Sequence, residues 1–267
     1  MPGPGGRERY GVLGVWIDAV DPGRARDAIE GWIARGERGY VCLSNVHTVM
    51  EARNDEALRA IVNGAALAVP DGMPLVWVGR LRGRRDVRRV YGPDLTLQLC
   101  ERAAGRGYRC FFYGGAPGVA EQLAQTLSRR FPTLRVVGAE APPFRPLTPQ
   151  EDDEAVGRIN AARPDIVFVG LGCPKQERWM AAHRGHLHAS ALLGVGAAFD
   201  FHTGRVPQAP RWMMRVGLEW LFRLGQEPRR LGYRYLVYNP LFLLHVTLEL
   251  LGVRDYPPPS LPGTRAG

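Results

Sequence analysis

Short apolar runs alternate with helical patterns along most of this 267-residue chain. The runs predicted to be strands cover residues 12–17, 40–43, 66–69, 109–113, 134–137, 165–169 and 191–195. Strands that alternate with helices favour a mainly parallel sheet covered by helices. We therefore predict an α/β fold whose core, a mainly parallel sheet covered by helices, spans about residues 8–203.

The pattern changes after residue 204. Residues 204–252 contain only helical patterns and form a predicted helical appendage rich in arginine and aromatic side chains. The core is expected to fold without it. Residues 236–251 are apolar but too short and too interrupted to span a bilayer, which suits a membrane interface instead. The alternative is a helical pair that packs its aromatic side chains on the core and leaves its arginines in water. Residues 253–267 are predicted to be disordered.

The chain carries a formal charge of +9, and Lys175 is its only lysine. An arginine excess favours an anionic partner, such as an acidic lipid, a phosphorylated substrate or nucleic acid. A GC-rich genome would enrich arginine as well. The four cysteines form no CxxC pair, and the N-terminus shows no apolar leader, so a reducing cytoplasm is the expected location.

Polar residues follow two of the predicted strands. Asp71 comes directly after an apolar run, in the segment Pro70-Asp71-Gly72, and Asn45 ends another run. Ligands of α/β sheets gather at the carboxyl ends of strands, where a carboxylate can deprotonate a sugar hydroxyl. Both residues could instead cap the helices that follow them.

Glycine loops follow three further strands. They contain Gly114-Gly115, Gly172 with Lys175 and Gln176, and Gly196. Backbone amides at such turns can hold phosphate groups, so these loops are predicted to bound one ligand site. Each loop alone could equally be an ordinary turn between a strand and a helix, and none is a Walker or GxGxxG motif.

No metal site and no cofactor are predicted. The acidic run at residues 151–154 opens a predicted helix, where carboxylates suit the helix dipole and are expected to be solvated. His183, His186 and His188 lie close in sequence, but neither a carboxylate nor a cysteine completes a tetrahedral set.

These segments, in this order, resemble the WecG/TagA/CpsF glycosyltransferase family over about residues 10–240. The matching pieces are Asn45, 70–72, 90–94, 113–115, 170–172, 174–177, 194–196 through Asp200 to Gly204, 217–220, Glu227-Pro228, Arg230, Arg234 and Tyr235. The resemblance implies a Rossmann-like α/β core of the GT-E type. It implies transfer of a sugar from a UDP-sugar to an undecaprenyl-diphosphate-linked acceptor, with inversion. It also implies a peripheral location at the inner face of the cytoplasmic membrane, and no dependence on a metal held by a DxD motif.

By the same resemblance, Asp71 falls on the proposed catalytic base. Asn45 and Gln176 fall on substrate-contacting positions, and Arg223, Arg230 and Arg234 fall on arginines thought to close over the diphosphate. Two departures leave the donor sugar open among N-acetylmannosamine, its uronic acid and a hexose. Leu43 stands where many members have threonine, and Gln208 stands where they often have arginine.

Two other functions fit parts of the pattern. A nicotinamide-dependent oxidoreductase would use a similar core, but GxGxxG and its acidic ribose partner are missing. A non-enzymatic basic protein on a membrane or nucleic acid would not need the glycine loops, and no nucleic-acid partner is expected. A homo-oligomer stays open.

Overall fold

The structure, a computed structural model that describes residues 7–257, contains a six-stranded parallel sheet flanked by helices. The strands are β1 Arg9–Val12, β2 Val15–Asp18, β3 Gly39–Ser44, β4 Leu67–Pro70, β5 Arg109–Gly114, β6 Arg135–Glu140, β7 Ile166–Gly170 and β8 Ala191–Gly194. The helices are α1 Pro22–Arg35, α2 Val46–Asn54, α3 Glu56–Asn63, α4 Met73–Leu81, α5 Gly92–Arg106, α6 Val119–Arg130, α7 Pro149–Ala162, α8 Lys175–His183, α9 Ala198–His202, α10 Arg211–Arg215, α11 Glu219–Gln226 and α12 Pro228–Leu250. Most of the tail predicted to be disordered, from residue 258 onward, lies outside the described residues.

The sheet has the strand order β4-β3-β8-β7-β5-β6, and every neighbouring pair is parallel. Alternate residues of a strand point to opposite faces, and both faces here are apolar. In β3, Tyr40 and Cys42 enter one buried cluster, whereas Val41 and Leu43 enter the other. The predicted α/β fold with a parallel sheet is confirmed.

The first predicted strand, over residues 12–17, is wrong. Leu13 and Gly14 have φ values of 50° and 85°, so the chain reverses there and forms an antiparallel hairpin of β1 and β2. Positive φ at both central residues is the geometry of a two-residue hairpin turn. The apolar run does not reveal this turn, because both strands are buried and Leu13 lies in the middle of the run.

The segment between β3 and β4 forms two helices, α2 and α3, which meet at Asp55. The backbone of Asp55 is extended, and its side chain accepts a hydrogen bond from the Leu58 amide (3.0 Å), which caps α3. Two further helices begin with side-chain caps. Asp21 caps α1, and Thr148 and Glu151 form a capping box at the start of α7.

The C-terminal segment is helical, and α12 packs closely on the core. Phe242 and Val246 are buried in the same apolar cluster as β1 and β2. The Tyr238 hydroxyl donates to Glu51 (3.0 Å), and Glu249 pairs with Arg82 (2.8 Å). Removing α12 would expose this surface, so point substitutions test the appendage more cleanly than deletion does. No helix within residues 7–257 is long and apolar enough to cross a membrane.

Candidate active site

A cleft of about 1010 Å³ opens at the carboxyl edge of the sheet. Because the strands are parallel, the segments that follow β3, β4, β5, β7 and β8 all reach this edge. The residues predicted from the sequence that line the cleft are Asn45, Asp71, Gly115, Gly172, Lys175, Gln176, Gly196, Arg223, Arg230 and Arg234. The appendage therefore supplies its arginines to the same cleft that the strand ends form.

Gly114 is the one predicted site residue that does not line the cleft. It ends β5 beside Gly170 of β7, with φ of 128°. A β-carbon at position 114 would lie 2.6 Å from the carbonyl carbon of Gly170, closer than packed atoms come. Gly114 therefore allows two strand ends to approach each other, and the adjacent Gly115 faces the cleft.

Asp71 lies at the end of β4, and its carboxylate does not cap α4. Instead, its Oδ1 accepts a hydrogen bond from the Gly92 amide (3.0 Å), and the first turn of α4 has no side-chain cap. Burial raises the pKa of the Asp71 carboxyl above its ordinary value; nearby Arg89 opposes this shift, and Glu219 adds to it. A carboxylate with a raised pKa is a stronger base than a solvated one.

Arg89 and Glu219 connect the core to the appendage beside Asp71. They form an ion pair of 2.5 Å, the Arg89 guanidinium also donates to the Asp71 carbonyl, and the Tyr91 hydroxyl donates to Glu219 (3.2 Å). Reasoning from the sequence did not single out Arg89 or Glu219. The two residues are 130 positions apart, so no local pattern predicts their contact.

Asn45 performs the capping role and contacts Asp71 as well. Its Oδ1 accepts hydrogen bonds from the amides of His47 (3.0 Å) and Thr48 (3.3 Å) at the start of α2. Its side chain is also hydrogen bonded to the Asp71 carboxylate and favours the charged form of that group. The capping role of Asn45 is therefore compatible with a role in the cleft, because one side-chain amide contacts both the start of α2 and Asp71.

The Gln176 side chain holds two loops of the cleft together. Its Oε1 accepts from the Gly172 amide (3.2 Å), and its Nε2 donates to the Gly194 carbonyl (2.9 Å) and to Glu177 (3.1 Å). Glu177 is fully buried, and burial raises the pKa of its carboxyl. These bonds occupy both ends of the Gln176 amide, so its first role in this structure is to position the loops after β7 and β8.

Gln176→Ala is expected to lower the free energy of unfolding by about 1–3 kcal/mol, the cost of leaving buried polar partners unsatisfied. Denaturant unfolding followed by circular dichroism measures this. Gln150→Ala is the matched control, because Gln150 is exposed and its amide makes one bond to Glu154 (3.0 Å). Equal losses in the two variants would contradict a positioning role for Gln176.

The three predicted arginines differ in their partners. Arg230 pairs with Glu227, at 2.7 Å between the Arg230 Nε and the carboxylate. Arg223 and Arg234 form no ion pair with any described residue, and the Nε atom of each is buried without a hydrogen-bond partner. Burial lowers the pKa of the Arg234 guanidinium, and nearby Arg223 lowers it further. Two unpaired, partly buried cations at one cleft suit an anionic ligand.

Aromatic side chains also line the cleft. Tyr113 stacks on Trp179 (ring centroids 4.6 Å apart), and Trp179 stacks on His183 (4.5 Å). Asp152, from the acidic run expected to be solvated, reaches the cleft and pairs with the His183 ring (2.7 Å). Within residues 7–257, no group of three or more histidine, cysteine, aspartate or glutamate side chains is arranged to hold a metal ion.

A carboxylate beside unpaired arginines, at the carboxyl edge of a parallel sheet, is typical of α/β enzymes that act on anionic substrates. The chain belongs to the WecG/TagA/CpsF family of glycosyl transferases, whose family profile matches residues 10–256. It is therefore a glycosyltransferase, as the sequence motifs indicated.

Two curated relatives carry the same name, N-acetylglucosaminyldiphosphoundecaprenol N-acetyl-beta-D-mannosaminyltransferase. The protein from Bacillus spizizenii is 30% identical over 199 residues, which cover 74% of this chain and 76% of the relative. The protein from Bacillus subtilis is 30% identical over 223 residues, which cover 83% of this chain and 84% of the relative.

Proposed function

We propose that this glycosyltransferase moves N-acetylmannosamine, or a closely related sugar, from a UDP-sugar to a sugar carried on undecaprenyl diphosphate. The product would enter the synthesis of a cell-surface polysaccharide or teichoic acid. The observation that carries the proposal is the position of Asp71 in one cleft with the unpaired Arg223 and Arg234. The acceptor and the first-choice donor follow from the names of the two relatives.

The proposed reaction is a single displacement with inversion. Asp71 takes the proton from an acceptor hydroxyl, and the hydroxyl oxygen forms a bond to the anomeric carbon on the side opposite UDP. The bond between that carbon and the UDP oxygen breaks, and the electron pair leaves with UDP. Arg223, Arg230 and Arg234 neutralise the charge that develops on the diphosphate, so this step needs no cofactor. The loops at Gly115, 172–176 and 194–198 would hold the nucleotide.

The test is to incubate the protein with a panel of UDP-sugars and a lipid-diphosphate acceptor, and to weigh the products. We expect one donor to add its mass to the acceptor and to release UDP. A thermal-shift comparison of UDP with NAD provides the control, because a bound ligand stabilises the folded state. Stabilisation by NAD alone, or no product with any donor, would overturn the proposal.

The pH dependence of the reaction should move in opposite directions in two variants. The ionised carboxylate is the active base, so kcat/KM falls as the pH drops through the pKa of Asp71. Arg89→Gln removes a cation that lowers this pKa, so the acid limb should move to higher pH. Glu219→Gln removes an anion that raises it, so the limb should move to lower pH.

The control for this comparison is Arg88→Gln, which removes an exposed charge next to Arg89 in sequence. Its acid limb should stay at the wild-type pH. If Arg89→Gln and Glu219→Gln shift the limb in the same direction, a group other than Asp71 controls the profile.

We propose that α12 rests on the inner face of the cytoplasmic membrane. Its outward side presents exposed leucines, among them Leu241 and Leu244, and the appendage around it has seven arginines against two glutamates between residues 205 and 234. Apolar area and attraction to anionic lipid both hold such a segment at an interface.

Replacing Leu241 and Leu244 together by glutamine should weaken binding to anionic liposomes by roughly tenfold or more, because two leucines lose their burial in lipid. Sedimentation with liposomes measures the effect. Phe144→Gln removes an even more exposed apolar side chain, which belongs to the core and not to α12, and this variant should bind as the wild type does. Unchanged binding of the double variant would place the membrane contact elsewhere.

A further inference from the structure

A second cavity, of about 220 Å³, adjoins the cleft. The two share Asn45, Asp71, Glu219, Arg223 and Arg234 as lining residues. The carboxylate proposed as the base therefore lies between them, with cations at the same junction. An inverting displacement needs this arrangement, because the acceptor must approach the anomeric carbon from the side opposite the donor diphosphate.

Beyond the shared residues, the walls of the second cavity are mostly apolar. The core provides Met73, Pro74 and Trp77 from the first two turns of α4, and the appendage provides Trp220, Phe242 and Leu243. The turn before α11 packs tightly on this wall. A β-carbon at Gly217, where φ is 76°, would lie 2.6 Å from the Trp77 ring. The cavity thus exists only because the appendage is docked on α4.

The cavity reaches the outward side of α12. Leu243 lines the cavity and is 60% exposed, and Trp77 on the facing wall is 42% exposed. Leu243 is seven positions from Leu236 and seven from Leu250, so it lies on the same side of the helix as these two exposed leucines. The cavity therefore leads from Asp71, between mostly apolar walls, to an exposed leucine of the helix that is proposed to rest on the membrane.

We propose that this cavity, here named the α4–α12 groove, binds the isoprenoid units next to the diphosphate of the lipid-linked acceptor. The inference rests on the proposed function. A polyisoprenyl diphosphate is anionic at one end and apolar along the rest, which matches arginines at the junction and apolar walls beyond it. Arg223 and Arg234 line both cavities, so in this proposal they face the acceptor diphosphate as well as the leaving UDP. The groove is far too small for a whole undecaprenyl chain, so the remaining units would stay in the membrane.

The test compares the binding of farnesyl diphosphate with that of inorganic diphosphate, measured by calorimetry in detergent-free buffer. The farnesyl chain should increase affinity by roughly tenfold, which is the effect of burying one or two small apolar groups. Leu243→Gln and Trp77→Ala should remove most of that increase. Leu236→Gln is the matched control, because Leu236 lies on the same helix, is 63% exposed and does not line the groove.

The same variants are then assayed with two acceptors that differ only in a long isoprenyl or a methyl group on the diphosphate. Leu243→Gln should raise KM for the isoprenyl acceptor and leave KM for the methyl acceptor and the donor unchanged. Three results would each contradict isoprenoid binding in the α4–α12 groove. They are equal affinity for farnesyl and inorganic diphosphate, equal effects of Leu243→Gln and Leu236→Gln, and an equal rise of KM for both acceptors. Farnesyl binding that depends on Leu243 in a protein that transfers no sugar would instead overturn the proposed function alone.

Discussion

Asp71→Asn is expected to lower kcat by roughly 10²–10⁴-fold, the contribution of a positioned general base. The substitution keeps the shape of the side chain, and an amide oxygen can still accept the hydrogen bond from Gly92 (3.0 Å). UDP affinity should change little, because the carboxylate acts on the acceptor hydroxyl and the arginines act on the diphosphate. Turnover at saturating donor and a calorimetric titration with UDP measure the two quantities.

The same variant should be at least as stable as the wild type at neutral pH. Burial raises the pKa of Asp71, so the folded protein holds this proton more tightly than the unfolded chain does. The stability that this bound proton contributes is fully present below the pKa of Asp71 in the unfolded chain. It is lost as the pH rises through the pKa of Asp71 in the folded protein. Asparagine stays neutral at every pH, so the variant has no buried charge at this position at neutral pH. Its Tm should therefore stay the same or rise while its activity falls.

Asp86→Asn is the control for the turnover measurement. Asp86 is exposed, pairs with Arg24 (2.5 Å) and does not line the cleft, so its loss should leave kcat unchanged. A folded Asp71→Asn protein that turns over within a few fold of the wild type would remove Asp71 from the chemistry.

The parallel sheet could be predicted because its central strands are buried on both faces. A strand such as β7, Ile166–Gly170, has no polar residue at all, and an apolar run of that length between helical patterns has few other structures open to it. The hairpin was missed for the same reason. The residues on both sides of the turn, Val12 and Val15, are as apolar as Leu13, and the reversal appears in the positive backbone φ of Leu13 and Gly14.

The cleft loops could be predicted because parallel pairing alone brings strand ends together. The contacts that adjust the pKa of Asp71 could not be predicted from the sequence. Arg89 lies in the segment between α4 and α5, and it meets Glu219 only when α11 docks on the core. The motif around Tyr91 was visible as part of the family resemblance, but its hydroxyl bond to Glu219 depends on the same docking.

The packing of α12 left a signal in the sequence that the average hydrophobicity hides. Leu231, Tyr235, Phe242 and Val246 are buried, whereas Leu236, Leu243 and Leu250 are exposed at intervals of seven. When two sides of a helix are apolar, the hydrophobicity of its faces differs little. The sequence of residues 236–251 therefore indicates one interfacial segment and does not separate the two sides. In the structure one side belongs to the core, and the other is free for the membrane.

Arg234→Met is expected to lower kcat by roughly 10²–10³-fold, as the loss of one preorganised group that stabilises developing charge does. It should also remove most of the increase in Tm that UDP causes. Arg234 is partly buried and lacks an ion pair with any described residue, so its charge is costly in the free protein and is neutralised when a diphosphate binds. The free variant should therefore keep or exceed the wild-type Tm.

The losses of kcat in the three arginine variants should follow the ion pairing of each arginine. Arg223→Met should resemble Arg234→Met, because Arg223 also has no ion pair among the described residues. Arg230→Met should cost less, since Glu227 already neutralises Arg230 and would have to release it to a ligand. Arg229→Met, next in the chain but exposed and outside the cleft, should change neither kcat nor the UDP-induced shift. If UDP raises the Tm of Arg234→Met as much as that of the wild type, Arg234 does not contact the donor diphosphate, and its charge faces the acceptor diphosphate alone.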